Sequence, residues 1–160
     1  MKPKAGHEQI EMELLLPFLK EMLAEGREVK MTVTGNSMYP LLRDRQDSVL
    51  LAKEEQPKKY DIALFVRSNG EAVLHRIIKC GQDGFIMLGD NQYEKEGPIL
   101  LSQVVAVAKG FYRGERFIPF NTWWCRLYTF VWSNAGILRK VLKPFVVWVG
   151  KLIKRAERME

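Results

Sequence analysis

The sequence predicts a mainly β domain with helical additions at both ends. Three observations carry this: short runs in which apolar residues alternate or cluster over a few positions, Asp, Gly, Pro and Asn clusters between those runs, and helical apolar spacing confined to the two ends of the chain. With 160 residues, 47% hydrophobic and 28% charged, the chain has material for one folded core, which excludes disorder and a polytopic membrane protein.

The first element is a helix over His7 to Ala24. Ile10, Leu14, Phe18 and Met22, with Leu15, Leu19 and Leu23 beside them, repeat at helical spacing, Pro17 is a local irregularity, and Gly26 closes the run. Glu13, Lys20 and Glu21 interrupt the apolar residues, so no export or anchoring h-region is expected there and a cytoplasmic location follows as the expectation. Val29, Met31 and Val33 then alternate with Lys30, Thr32 and Thr34, the period of a strand with one buried face, which ends at Gly35-Asn36. Five further strands are expected at Ser48 to Ala52, Asp61 to Arg67, Ala72 to Cys80, Phe85 to Leu88 and Val104 to Tyr112. Their short spacers predict antiparallel pairing. Three parts result: an amphipathic helix over 1–28, a β body over 29–116 and a basic, Trp-rich helical extension over 117–160.

The charge is unevenly placed. From Phe111 to Glu160, ten basic residues against three acidic ones give +7, which leaves −1 for the rest of a chain whose net charge is +6. All four tryptophans, Trp123, Trp124, Trp132 and Trp148, lie in the same last third. Leu127, Phe130, Val131, Asn134, Leu138, Val141, Phe145, Val149 and Leu152 fall in one arc of a helix, with Arg126, Lys140, Lys143, Lys151, Lys154 and Arg158 opposite, and Pro144 should split it. Arg126 and Pro119 weaken Phe117 to Leu138 as a membrane span, so a surface-lying helix is expected. Its apolar stripe has three readings: cover for the β body, an interfacial helix on anionic lipid, or a partner-binding face. Nothing reads as a helix-turn-helix, and no nucleic-acid partner is expected.

Cys80 and Cys125, with only His7 and His75 elsewhere, cannot build a disulfide framework or a zinc site and read as reduced structural thiols. The chemistry-bearing residues lie in the turns and one strand. Ser37 follows the first strand in a Gly-Asn turn, where a hydroxyl is presented and amides are released from the ladder to face a developing oxyanion. His75 stands mid-strand, where an aliphatic residue or threonine is routine, and Asp90 sits in a turn after Leu88-Gly89. Each alone is an ordinary residue of a turn or strand; the set of three is what carries the reading.

Gly35-Asn36-Ser37-Met38-Tyr39-Pro40, Tyr60-Asp61-Ile62-Ala63-Leu64-Phe65, Leu74-His75-Arg76-Ile77-Ile78 and Gly89-Asp90-Asn91 resemble, in order, the boxes of the signal peptidase I superfamily of serine peptidases. The resemblance covers roughly Val29 to Arg113. His75, where many bacterial members have lysine, resembles the histidine subtype of the endoplasmic reticulum, archaea and sporulating bacteria. It implies a signal-peptidase-like antiparallel β catalytic fold. In that reading Ser37 is the nucleophile, His75 the general base and Asp90 the carboxylate that orients the imidazole. Gly35, Asn36 and Met38 form the active-site loop, with the Ser37 amide as oxyanion donor; Asp61, which matches the family box, is either a structural turn carboxylate or, as the less favoured alternative to Asp90, a substitute for the third catalytic residue. Tyr60 stands where the family box has glycine, Gly35 brings no side-chain hydroxyl, and the family's N-terminal anchor has no counterpart in the first helix.

The implied activity is a Ser-His serine endopeptidase acting on a leader, propeptide or signal-like segment, without metal or organic cofactor. A peripheral position at the inner face of the membrane goes with an anionic lipid surface as partner. Two alternatives stand beside it: a binding module that keeps the fold without catalysis, and a regulator that cuts its own chain. With His75 as the base, activity is expected to fall on the acid side with an apparent pKa near 6 to 7.

Overall fold

The computed structural model describes residues 5–134 of the chain. The helix α1 spans Ala5–Ala24, with Pro17 inside it, and eight strands follow: β1 Val29–Thr32, β2 Asp47–Ala52, β3 Ile62–Val66, β4 Ala72–Gly81, β5 Gly84–Leu88, β6 Glu96–Ile99, β7 Val104–Arg113 and β8 Arg116–Pro119. The helix α2, Trp123–Asn134, completes the described chain. The expected six strands are all present. The two that the sequence hides are β6, which contains a Gly-Pro pair, and β8, four residues long and headed by arginine; neither shows the alternation of a half-buried strand. Because β8 pairs with β7, the sheet runs to Pro119, beyond the expected end of the β body at 116.

The strands form one antiparallel sheet in the order β1-β2-β7-β3-β4-β5-β6. The long β7 organises it, since Val107 pairs with both Ala52 and Ala63, and residues 110–113 pair with β2 on one edge and β8 on the other. The two faces carry separate cores. One contains Leu51, Ile62, Leu64, Met38, Leu42 and Phe111 and is covered by Leu19 and Leu23 of α1 and Cys125 of α2. The other contains Ala63, Phe65, Ile77, Met87, Ile99 and Val107. Alternation along β3 and β4 assigns neighbouring residues to opposite cores, so His75 and Arg76 must face opposite ways.

The chain between β1 and β2 is held as a fixed loop. Met38, Leu41 and Leu42 are buried beneath it. Asp47, fully buried at its far end, accepts hydrogen bonds from Arg43 N (3.0 Å), Arg43 Nη2 (2.9 Å) and Arg113 Nη2 (3.0 Å). Burial pushes the Asp47 carboxyl up, but these donors win and hold it below the usual carboxylate value, so the clamp stays ionised near neutral pH. Arg113 also donates to the Leu41 carbonyl at 3.0 Å, tying the loop to β7.

Among the described residues of α2, the apolar arc does not cover the β body, the first of its three readings. Leu127, Phe130 and Val131 face solvent at 55%, 61% and 41% exposure, while Cys125 and Trp132 face the body. The inner face takes the groups that satisfy polar partners on the sheet. The expected continuation of the arc through Leu138 and beyond, and the split at Pro144, lie outside the described residues.

Candidate active site

Ser37 lies in the loop after β1, half-buried, where Gly35 adopts φ of +81°, a conformation suited to glycine. The Gly35 amide donates to Asp44 Oδ1 at 2.8 Å, and the Tyr39 amide to the Asn36 carbonyl at 3.2 Å. Met38, 1% exposed, anchors the loop in the core, while Asn36 is exposed. The Ser37 carbonyl accepts the Asn91 amide at 2.7 Å. Among the described residues, neither the amide nor the hydroxyl of Ser37 is engaged in a hydrogen bond. Both are available for chemistry.

The Asn91 hydrogen bond brings the serine loop to the turn after β5, and Gly89 admits it. A Cβ built on Gly89 would stand 2.8 Å from the Ser37 carbonyl oxygen, so only glycine admits that approach. The β4–β5 ladder closes at the Arg76↔Leu88 pair, one residue before Gly89. The structure thus brings the Ser37 backbone against the 89–91 turn, where β5 ends opposite Arg76, the neighbour of His75 on β4.

His75 is 1% exposed, with the Phe65 ring 6.0 Å away between centroids. Neither of its ring nitrogens has a hydrogen-bond partner among the described residues. An unsatisfied buried polar group costs about 1–3 kcal/mol, which selects for a use. Burial pulls the imidazole down to about 4, against an upward pull from Glu96 and alongside a downward one from Arg67, so it is neutral near pH 7.

The carboxylate that faces the imidazole is Glu96, whose Oε2 is 3.6 Å from His75 Nδ1. The row Ile77, Met87, Glu96 crosses β4, β5 and β6 on the His75 side of the sheet. Arg67, just past β3, grips Glu96 with two hydrogen bonds, Nε to Oε1 at 2.5 Å and Nη2 to Oε2 at 2.7 Å, and reaches Glu71 Oε2 at 2.6 Å. The Arg67 hydrogen bonds hold the Glu96 carboxyl below its ordinary range. Arg67, Glu96, Gln92 and Tyr93 line a surface cleft of about 470 Å³ beside this group.

The Asp90 carboxylate, which the sequence assigns to His75, accepts Arg76 Nε at 2.9 Å and Nη2 at 2.7 Å, with Tyr128 OH donating at 3.2 Å. It makes no hydrogen bond to the imidazole, since both ring nitrogens are unpartnered. The reason is the pleat: Arg76 is adjacent to His75 in sequence but points to the other face, and it takes the turn carboxylate with it. Asp61 behaves as a turn residue, its Oδ2 accepting the Lys58 amide at 2.8 Å while burial pushes its carboxyl up. Sequence reasoning missed Glu96 and Arg67. Glu96 reads as part of a charged run, Glu94-Lys95-Glu96, and only the hidden strand β6 places it across from Met87.

A loop serine with an unengaged hydroxyl, held at its carbonyl by the turn after β5, and a buried, unbonded histidine that faces a carboxylate are residue types a hydrolase site uses. The family model described as Peptidase S24-like matches residues 2–107, about two-thirds of the chain and all the residues just described from Ser37 to Glu96. The chain belongs to the Peptidase S24-like family. Its fold is therefore of serine-peptidase type, within the broad superfamily that the signal-peptidase resemblance indicated. The family match ends at Val107, ahead of β8 and α2. No curated protein matches the chain.

Proposed function

We propose that the chain is a serine endopeptidase of the Ser-His subtype that cleaves an extended leader, propeptide or signal-like segment. Ser37 Oγ attacks the scissile carbonyl while His75 takes its proton, and the Ser37 amide faces the oxyanion of the tetrahedral intermediate. His75 then passes the proton to the leaving amine, the C–N bond breaks, and the C-terminal product departs from an acyl-Ser37 ester. Water, deprotonated by His75, hydrolyses that ester and restores Ser37. Glu96, held by Arg67, orients the imidazole; Asp90 keeps a positioning role through Asn91, whose amide holds the Ser37 carbonyl. The Ser37–His75 hydrogen bond forms when substrate enters, as apo sites commonly have loose catalytic geometry.

The observation that carries this reading is His75, buried with both nitrogens unsatisfied and facing Glu96, in a fold whose serine loop keeps an unengaged hydroxyl at the neighbouring 89–91 turn. The test is mass-spectrometric profiling of cleavage of a diverse peptide mixture, leader-like sequences included, by wild type and Ser37→Ala. Cuts that require Ser37, with an acyl adduct trapped on Ser37 at low pH, are the expected result. A folded wild type giving no Ser37-dependent cut in any peptide would overturn it in favour of a binding module. Cuts confined to its own chain would instead establish the self-cleaving regulator.

A further inference from the structure

We propose that the outer face of α2 is a docking surface for an anionic lipid bilayer. On this helix Trp123, Leu127, Phe130 and Val131 are 78%, 55%, 61% and 41% exposed. At about 100° per residue these four occupy a single arc roughly 100° wide. The helix cannot roll to bury them. Its opposite face is fixed to the body: Trp132 Nε1 donates to the Asp90 carbonyl at 2.7 Å, Tyr128 OH to the Asp90 carboxylate at 3.2 Å, and Thr129 Oγ1 accepts Arg76 Nη1 at 3.1 Å. Cys125, on the same side, is 1% exposed within the core.

Charge decides the occupant. The helix has no acidic residue, its single charge is Arg126 beside the apolar arc, and residues 111–160 carry +7. A second copy would bring two such segments together and meet like-charge repulsion. An anionic bilayer offers the opposite sign together with an apolar layer that takes indole and leucine side chains at headgroup depth. No described helix is long and apolar enough to cross a membrane, so α2, about 18 Å long at 1.5 Å per residue, would lie along the surface. The body would then hang from the bilayer by the helix whose inner face grips Asp90.

Co-sedimentation of the full chain with vesicles of phosphatidylcholine alone, or with about one-third phosphatidylglycerol, tests this. Binding is expected to need the anionic lipid and to weaken with added salt, about fivefold for each basic side chain screened from the headgroups. Trp123→Ala combined with Leu127→Ala should reduce partitioning at least tenfold with an unchanged thermal melt, because neither side chain enters the core. Ser37→Ala should bind as wild type does, which separates this surface from the peptidase reading. Equal binding to neutral vesicles, equal binding by the double variant, or concentration-dependent self-association abolished by the double variant would overturn the proposal.

Discussion

Two arginine–carboxylate pairs flank the middle of β4 on opposite faces of the sheet, and they behave differently. Arg76 and Asp90 are both 3% exposed at their side chains, joined by two hydrogen bonds, and capped by Tyr128, Thr129 and Trp132 of α2. Arg67 and Glu96 are about a quarter to a third exposed, border a cleft, and leave one Glu96 oxygen within 3.6 Å of a histidine. The first pair is closed on itself and joins α2 to the sheet. The second is open on one side. The Asp90 carboxylate is engaged by its own network, whereas Glu96 is the carboxylate that faces an unpartnered imidazole.

Glu96→Gln separates the two pairs most sharply. If Glu96 orients the imidazole, kcat should fall by about 10²- to 10⁴-fold, the range of a disrupted general-base arrangement. The acid limb should also move down, because removing a negative charge beside His75 disfavours its protonated form. A Glu96 that merely holds Arg67 would move the limb in the same direction without that loss of kcat.

Asp90→Asn addresses the closed pair. It leaves Arg76 buried with an uncompensated charge, a change expected to cost about 3–5 kcal/mol of stability by denaturant titration. Replacing both partners together, Arg76→Met with Asp90→Leu, should cost less than the single change, since apolar substitution of a buried pair is often close to neutral. A single variant as stable as wild type would show that this pair does not form a closed network.

The pH dependence of the open site follows from burial. His75 titrates near 6.5 when unfolded and at about 4 in the fold, so between those values the unfolded chain binds more protons. Stability therefore falls as pH drops from 6.5 towards 4, and the acid limb of kcat/KM should lie near 4 rather than in the range of an exposed imidazole. Glu96 adds a further decrease at still lower pH, as its depressed carboxyl protonates and releases Arg67. A limb at pH 6 to 7, the range of an unperturbed imidazole, would mean that His75 is hydrated in the working enzyme.

The sequence made legible what repeats or recurs in order. The six patterned strands, α1, and the approach of Ser37 to the turn at 89–91 all rest on alternation, helical spacing or ordered boxes, signals carried by many residues at once. The carboxylate that faces His75 was not legible. Choosing between Asp90 and Glu96 requires knowing which face each reaches, and that depends on β6, whose Gly-Pro pair suppresses the strand pattern. Likewise the sequence left the direction of Leu127 and Phe130 open among three readings, and their outward placement follows from an inner face of α2 committed to polar partners on the body.

The smallest expected effect concerns the backbone under the closed pair. Tyr60, where the signal-peptidase box has glycine, holds φ of +81°, with its amide donating to the Ile77 carbonyl at 2.7 Å and its own carbonyl accepting Arg76 Nη1 at 3.1 Å. Those bonds fix the left-handed conformation, which costs a non-glycine residue about 1–2 kcal/mol. Tyr60→Gly removes that strain but gives up the Lys59 ammonium over the ring at 4.7 Å and some backbone entropy, for a net gain of about 0.5 kcal/mol. Tyr60→Ala removes the ring and keeps the strain, so the expected order of stability in denaturant titration is Gly, then Tyr, then Ala. If alanine proved as stable as glycine, side-chain removal rather than backbone conformation would govern this position, and the glycine of the family box would have no conformational role in holding Arg76.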